Sequence, residues 1–582
     1  MIDNLAIKGQ NRKKTKTGAW LAALSIISNL LSFNLISAAE PKAFSDVPAE
    51  HWAAEYVQEL RNRGITDGIG NNQFGMGKSI SRYEFVTFLV RLMKWDLVKQ
   101  PNPTFADATD TGAWYYAPLE TAVSKGLLMA VGSEFDKNPG VSKRSFGGDY
   151  AITRQEMTIM IVRALGYGQI ASKLDLEPSF SDVERFKGYI NVAKDLGIIN
   201  GTGPRTFAPT ATATKEEAAA MMIRMARKLD AGISDLHGFY AIRSFGQRQF
   251  INGLDSVSFG WSRLGHSAQK GYYLNTSREK DNDFAIPVGY EQVLAEARAQ
   301  NVKMHLMVYA SDTSKIGEAG NLTVFLEKPS EQAKLIKQIV EEISAAKLNL
   351  DGVTIDFEEM KGEAKKAQFV SFLNNLKVAL NGKRLLVAVH PQRKEGIAYF
   401  DGYDFRKIGQ IADRVILMAH DYYAKTLTPS EAEQGYTLTP LAPLDKIYNA
   451  LRFITDKNTG VEDINKVMLQ VSFASVQWQR KNGKVINQSA FQPTYDKITA
   501  ALTKPNAEIT FQEQYSSPRA AYLTEDGTEN ILWYEDSRSI VAKIQLAKMF
   551  GVRNISIWRL GNIPNDKKAP YLNVWEAIQK EK

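Results

Sequence analysis

Leu348-Asn349-Leu350-Asp351-Gly352-Val353-Thr354-Ile355-Asp356-Phe357-Glu358-Glu359 is the stretch on which the reading of this chain turns. Its apolar residues Leu350, Val353, Ile355 and Phe357 fit a short buried strand, and Asp351-Gly352 at its head reads as a tight backbone turn. Asp356 and Glu358 are two apart, so an extended strand sends both carboxylates to the same face. A buried strand gains nothing structural from two neighbouring carboxylates, because each is costly to desolvate unless paired or protonated. Such a pair marks acid-base chemistry.

The flanking text has the same character. From His237 onward, apolar runs alternate with helical stretches, the pattern of βα units around a parallel sheet. Strands are predicted at 237–241, 256–261, 303–309, 352–357, 385–390, 414–420, 466–473 and 554–558. Eight such units make a (β/α)8 TIM barrel with insertions, whose site lies at the C-terminal ends of the strands. Glu358 falls at one of those ends.

Composition narrows the chemistry. At 582 residues the chain exceeds one hydrophobic core and is multidomain. It has no cysteine, which removes disulfides, thiolate catalysis and cysteine-ligated metals. The six histidines, at 51, 237, 266, 305, 390 and 420, show no His-x-x-x-His spacing, so no metal site is expected. Of the net charge of +8, residues 1–39 carry +4, and no basic stripe with interleaved aromatics points to nucleic acid. The mildly basic remainder suits an anionic cell-wall polymer.

The quoted stretch resembles the signature of glycoside hydrolase family 18, an Asp-Gly pair followed by a spaced acidic run ending in Glu on the fourth barrel strand. The resemblance implies Glu358 as general acid and Asp356 as the group that orients the substrate's acetamido. Met418-Ala419-His420-Asp421-Tyr422 is similar to the family's sixth-strand motif, which places Asp421 at the acetamido and His420 where tyrosine is usual. Tyr422 belongs to the same substrate-binding set. Trp558 matches the aromatic floor under the sugar, and Tyr240 and Trp478 are further candidates for the cleft. Thr354 stands where the family has the first acid of the run; its hydroxyl is expected to bond Asp356. The blocks 239–244, 533–536 with Ser539 and Lys543, and 558–561 resemble the spore-cortex-lytic N-acetylglucosaminidase branch, with residues 480–539 forming a small insertion between strands seven and eight.

The implied mechanism is substrate-assisted and retaining: the 2-acetamido oxygen attacks the anomeric carbon while Glu358 serves as acid and then base. It needs no metal or organic cofactor, and it takes β-linked N-acetylglucosamine glycans such as peptidoglycan or chitin. The alternative is a noncatalytic, glycan-binding surface protein with a degenerate barrel.

Upstream, Phe44-Ser45-Asp46-Val47, Phe105-Ala106-Asp107-Ala108 and Phe180-Ser181-Asp182-Val183 each open a unit of helix, glycine turn and second helix. The second helices begin Ser81-Arg82-Tyr83-Glu84, Thr153-Arg154-Gln155-Glu156 and Thr214-Lys215-Glu216-Glu217. Ser or Thr three residues before Glu is a capping box, which leaves the recurring basic residue unexplained. The triple pattern resembles S-layer homology domains, all-α modules that hold bacterial surface proteins on secondary cell-wall polymers. The resemblance implies polymer contacts from Arg82, Arg154 and Lys215, beside Trp52 and Trp114. Residues 8–16 are basic, 20–36 largely apolar, and Ser37-Ala38-Ala39 offers a cleavage site, so the start reads as a secretory signal or an uncleaved membrane anchor. The expected domains are a signal peptide at 1–39, repeats at 40–98, 99–170 and 171–230, and the barrel at 231–582; the expected location is the bacterial cell surface.

Overall fold

The computed structural model describes residues 42–128, 145–279, 282–317, 320–392 and 400–582. The segment read as signal or anchor, and most of the extension of the second repeat at 134–150, lie outside the described residues. Among those described, no helix is long and apolar enough to cross a membrane.

The three repeat units share one plan. In each, the opening Asp accepts backbone N–H groups from a turn far downstream: Asp46 from Phe74, Gly75 and Met76, Asp107 from Phe146 and Gly147, and Asp182 from Phe207 and Ala208. The second helices, Arg82–Leu92, Arg154–Ala164 and Lys215–Leu229, all start with a complete capping box. Three isolated β-bridges, Ser79 to Thr214, Ser81 to Ala151 and Thr153 to Thr212, join the units, so the helices are stitched by short extended pieces.

The basic residue after each cap closes the module into a ring. Arg82 pairs with Glu156 at 2.6 Å, Arg154 with Glu217 at 2.6 Å, and Lys215 with Glu84. Their backbone N–H groups repeat the cycle, donating to the carbonyls of Tyr150, Ala211 and Lys78. Each box glutamate thus caps its own helix and neutralises the base of another unit.

The barrel strands are β1 (Asp235–Tyr240) and β2 (Ser256–Ser267), which continues into the antiparallel β3 (Gly271–Asn275). Then follow β4 (Lys303–Ser311), β5 (Gly352–Glu358), β6 (Arg384–Val389), β7 (Arg414–Leu417) and β8 (Val467–Ser472). A five-stranded antiparallel sheet intervenes: β9 (Val476–Lys481), β10 (Lys484–Val485), β11 (Glu508–Gln512), β12 (Ser517–Leu523) and β13 (Glu529–Trp533), in the order β10-β9-β13-β12-β11. The last strand, β14 (Asn554–Trp558), pairs in parallel with β8 and β1, and β1 with β2, so eight parallel strands close. The small sheet begins before residue 480, and the helix Ser537–Met549 after it packs on the barrel.

Gly352 is required for reasons other than a turn. It sits within β5, where a Cβ would come 2.1 Å from the Arg384 carbonyl of β6. Asp351 ties the strand base to β4 by accepting the Met304 N–H at 2.9 Å. The repeat module meets the barrel through Asp195, which accepts a hydrogen bond from Tyr448 at 2.6 Å and pairs with Arg452 at 3.3 Å.

Candidate active site

Period-two alternation sorts the barrel strands into two sets of side chains. Val353, Ile355 and Phe357 of β5 join the apolar layer under the helices, while Thr354, Asp356 and Glu358 leave by the other face. The same alternation sends Phe239, Met307, Leu386, Ala388, Ile416 and Met468 into one inner cluster with Tyr309 and Trp558. Glu358 closes β5 and is half-buried, whereas Asp356 is 2 % exposed.

Burial dominates the electrostatics of this mouth. It pushes the Asp356 carboxyl up to about 7, with His420 pulling the other way. Glu358 is held well above the usual carboxylate range by burial and then by Asp356, Glu359 and Asp421, opposed by Lys425. A glutamic acid kept protonated beside a carboxylate is suited to donate a proton to a leaving group. Asp421 is resisted by burial but held below its ordinary value by His420, Lys425 and His390.

His420 lies beyond the end of β7, with Nδ1 3.5 Å from Asp421 Oδ1 and Nε2 2.6 Å from Gln470 Oε1. Burial lowers its proton affinity, yet Asp421, Gln470 and Asp356 outweigh it and the net shift is upward. Thr354 is fully buried, and its hydroxyl meets Ser258 at 2.6 Å. The expected bond from Thr354 to Asp356 is therefore corrected: that hydroxyl is engaged across the barrel, and Asp356 Oδ1 is buried without a hydrogen-bond partner among the described residues.

Two further expectations are revised. Tyr240 packs edge-on against Phe259 and Trp261, on the helix side of β1, because the alternation that turns Phe239 inward turns Tyr240 out. Trp478 is fully buried in the core of the small sheet, its indole N–H donating to Thr439 at 2.8 Å, and it has no surface to offer a sugar. Trp558 does join the inner cluster, edge-on to Phe239. Tyr422 lines a different cavity of about 310 Å³, shared with Tyr436, Tyr515 and Asp445.

Sequence reasoning passed over Tyr309, whose hydroxyl is pushed up by burial, Glu358 and Asp356, and Tyr403, which donates to the Phe357 carbonyl at 2.7 Å. It also passed over Lys425, His390 and Gln470. Tyr309 ends a predicted strand two residues after Met307, so inward alternation carried the signal; the others needed three-dimensional neighbours.

In the repeat module, Trp52 and Trp114 are exposed. Arg82 is wholly enclosed and Lys215 nearly so, which corrects the expectation that each base faces a polymer: the ring of ion pairs consumes them. Arg154 differs, lining a groove of about 350 Å³ with Trp52, Asn200, Gly201, Glu217 and Arg224.

The barrel thus brings the buried Asp356, the half-buried Glu358 and Trp558 to the C-terminal ends of its strands, the face on which barrels of this kind carry their sites. The chain belongs to glycosyl hydrolases family 18, whose model matches residues 249–562, and S-layer homology domains precede it, matched at 43–86 and 179–219. A cortical fragment-lytic enzyme of Bacillus anthracis is 24% identical over 294 residues, half of this chain and 64% of that one. An S-layer protein of Bacillus thuringiensis subsp. finitimus is 28% identical over 243 residues, 40% of this chain and 27% of that one. The chain thus spans between about a quarter and two thirds of the length of these relatives. Among solved structures, the spore cortex-lytic enzyme SleL of Bacillus cereus aligns over 59% of this chain and 73% of its own, with 20% identity and a TM-score of 0.46.

Proposed function

We propose that this chain is a wall-anchored glycosidase that cleaves β-linked N-acetylglucosamine glycans, peptidoglycan or chitin, by substrate-assisted retention. The observation that carries the reading is Glu358, a carboxyl kept protonated by burial at the mouth of the barrel beside the buried Asp356. Glu358 donates its proton to the glycosidic oxygen as the bond from the anomeric carbon to that oxygen breaks, and the leaving sugar departs as an alcohol. The acetamido oxygen attacks the anomeric carbon, held by Asp356, whose free Oδ1 accepts the acetamido N–H, and by Asp421. Glu358, now a carboxylate, then takes a proton from the water that opens the cyclic intermediate. Trp558 supplies the apolar floor, and His420 part of the wall.

The module of residues 40–230, whose three repeats join helices through short extended pieces, anchors the enzyme at the cell surface by gripping a secondary cell-wall polymer in the groove of Trp52 and Arg154. Residues 231–582 form the catalytic unit, with the small antiparallel sheet between β8 and β14 as one wall of the cleft.

Release of reducing ends from peptidoglycan, from muramidase-derived glycan strands and from chitooligosaccharides, beside Glu358→Gln, tests the reading. Removing the proton while keeping the shape should lower turnover by about 10² to 10⁴. Equal activity of variant and parent would exclude Glu358 as the acid. The engagement of Thr354 with Ser258 favours a second reading, glycan binding without turnover, which the same assay reports as saturable binding with no product in the parent.

A further inference from the structure

The barrel interior holds a continuous polar thread that the reaction scheme leaves unused. Thr354 Oγ1 lies 2.6 Å from Ser258 Oγ, which lies 2.8 Å from His237 Nε2. His237 Nδ1 is 2.8 Å from Ser556 Oγ, and the Gln470 amide nitrogen is 3.4 Å from that hydroxyl. The Gln470 amide oxygen then meets His420 Nε2 at 2.6 Å. The thread crosses β5, β2, β1, β14 and β8 and ends at the mouth of the site. Thr354, Ser258, His237 and Ser556 are fully buried and Gln470 is 2 % exposed, so water does not substitute for its links.

The chemistry of the links fixes the direction at the His420 end. An amide donates through nitrogen and accepts through oxygen. With the Gln470 nitrogen on Ser556, its oxygen faces His420 and can only accept, so Nε2 of His420 carries a hydrogen. The remaining links are satisfied in either direction, with Ser556 donating to His237 Nδ1, His237 Nε2–H to Ser258 and Ser258 to Thr354, or the reverse, because each hydroxyl donates once and accepts twice. Burial and Arg384 hold His237 down to about 3, so it stays neutral and keeps this one-donor, one-acceptor role. On His420 the nitrogen left to titrate is Nδ1, which faces Asp421.

We propose that Gln470 is a positioning residue: it locks His420 with Nε2–H inward, so that Nδ1 takes up and releases the proton between Asp421 and the buried Asp356. The proposal rests on the glycosidase reading for its consequence, since a protonated His420 keeps Asp356 ionised to hold the acetamido. The groups that act on His420 are Asp421 on its own segment, Asp356 from β5 and Gln470 from β8. Lys425 and His390 act on its partner Asp421, and Asp356 and Asp421 both act on Glu358. The thread gives the position of Thr354 a purpose: it terminates a relay of hydroxyls rather than sharing a proton with Asp356.

The test is a two-bond proton–nitrogen correlation spectrum of the imidazoles in the full-length ¹⁵N-labelled protein, with the His420 signals assigned by their loss in His420→Ala. In the parent His420 should show the Nε2–H pattern when neutral. In Gln470→Leu the acceptor is gone, so the neutral ring should redistribute toward Nδ1–H and the midpoint should fall by about one pH unit. Gln470→Glu keeps volume and acceptor but adds charge, so its midpoint should rise by about as much. The basic limb of the kcat/KM profile should move with the midpoint in each variant. An Nδ1–H ring in the parent, or a midpoint unchanged in both variants, would overturn the proposal. The nitrogen shifts need no turnover, so loss of the glycosidase reading and loss of this one are separately visible.

Discussion

Arg82→Ala is the perturbation whose cost is most directly set by the structure. The Arg82 side chain is fully enclosed, bonds both carboxylate oxygens of Glu156 at 2.6 and 3.4 Å, and donates to the Phe146 carbonyl at 3.2 Å. Breaking a buried pair by removing one partner costs about 3 to 5 kcal/mol, because the other charge stays behind. Glu156 retains the Thr153 N–H at 3.0 Å, so one oxygen rather than two is stranded. The expected cost is therefore near the lower limit, about 3 kcal/mol. For a unit of this size each kcal/mol moves Tm by roughly 2 to 4 °C, which gives a fall of about 6 to 12 °C in the transition of the repeat module. Differential scanning calorimetry of the full chain measures that fall. Arg227→Ala is the control, since Arg227 is 38 % exposed and its pairs with Glu55 and Glu59 are solvent-accessible, the class worth about 0 to 1 kcal/mol each. Arg82→Met combined with Glu156→Gln keeps the cap and removes both charges, and should recover more than half of the loss. A fall no larger than that of Arg227→Ala, or a double variant as unstable as the single one, would refute the ring as a structural device. Wall-binding losses in Arg82 variants would then report polymer contact instead of unfolding.

Three other outcomes are expected. Trp52→Ala should release the protein from purified sacculi while leaving Tm unchanged, because the ring is 55 % exposed and lines the Arg154 groove; retention equal to the parent would remove Trp52 from the polymer site. Thr354→Asp puts a second carboxylate below Asp356, where like charge raises proton affinity, so the acid limb of the pH-rate profile should move to higher pH; an unmoved profile would show that residue 354 does not communicate with Asp356. Asp356→Asn should stabilise the barrel above neutrality. The folded carboxyl holds its proton up to about 7 against about 3.9 unfolded, so the penalty is absent below pH 4, grows between the two values and is complete above them. The gain in Asn should reach up to about 4 kcal/mol at pH 8 and vanish at pH 4, measured as the difference in Tm of the barrel transition.

Much was legible in the sequence because it is local. Alternation along residues 350–358 decides which side chains share a face, and the βα rhythm gives the barrel, since both depend on backbone period and not on partners. All eight predicted strands overlap the parallel strands of the barrel, and the capping boxes stand at the three helix starts where Ser or Thr precedes Glu by three. What lay beyond reach depends on which residues meet across the fold. Tyr240 was placed one step wrong because a strand residue's face is set by the register of the whole barrel, and Trp478 because a lone tryptophan after a strand fits a cleft or a core equally well in sequence. The bases after the caps looked like ligands for a polymer; only closure of the three repeats brings each against a glutamate about 60 or more residues away, where desolvation makes pairing obligatory. Thr354 stood out as a departure, but its engagement with Ser258, and the thread from there to His420, joins residues from six different segments. Hydrogen bonds of that kind are written by tertiary packing, because burial removes water as an alternative partner and leaves each polar group only the neighbours the fold supplies.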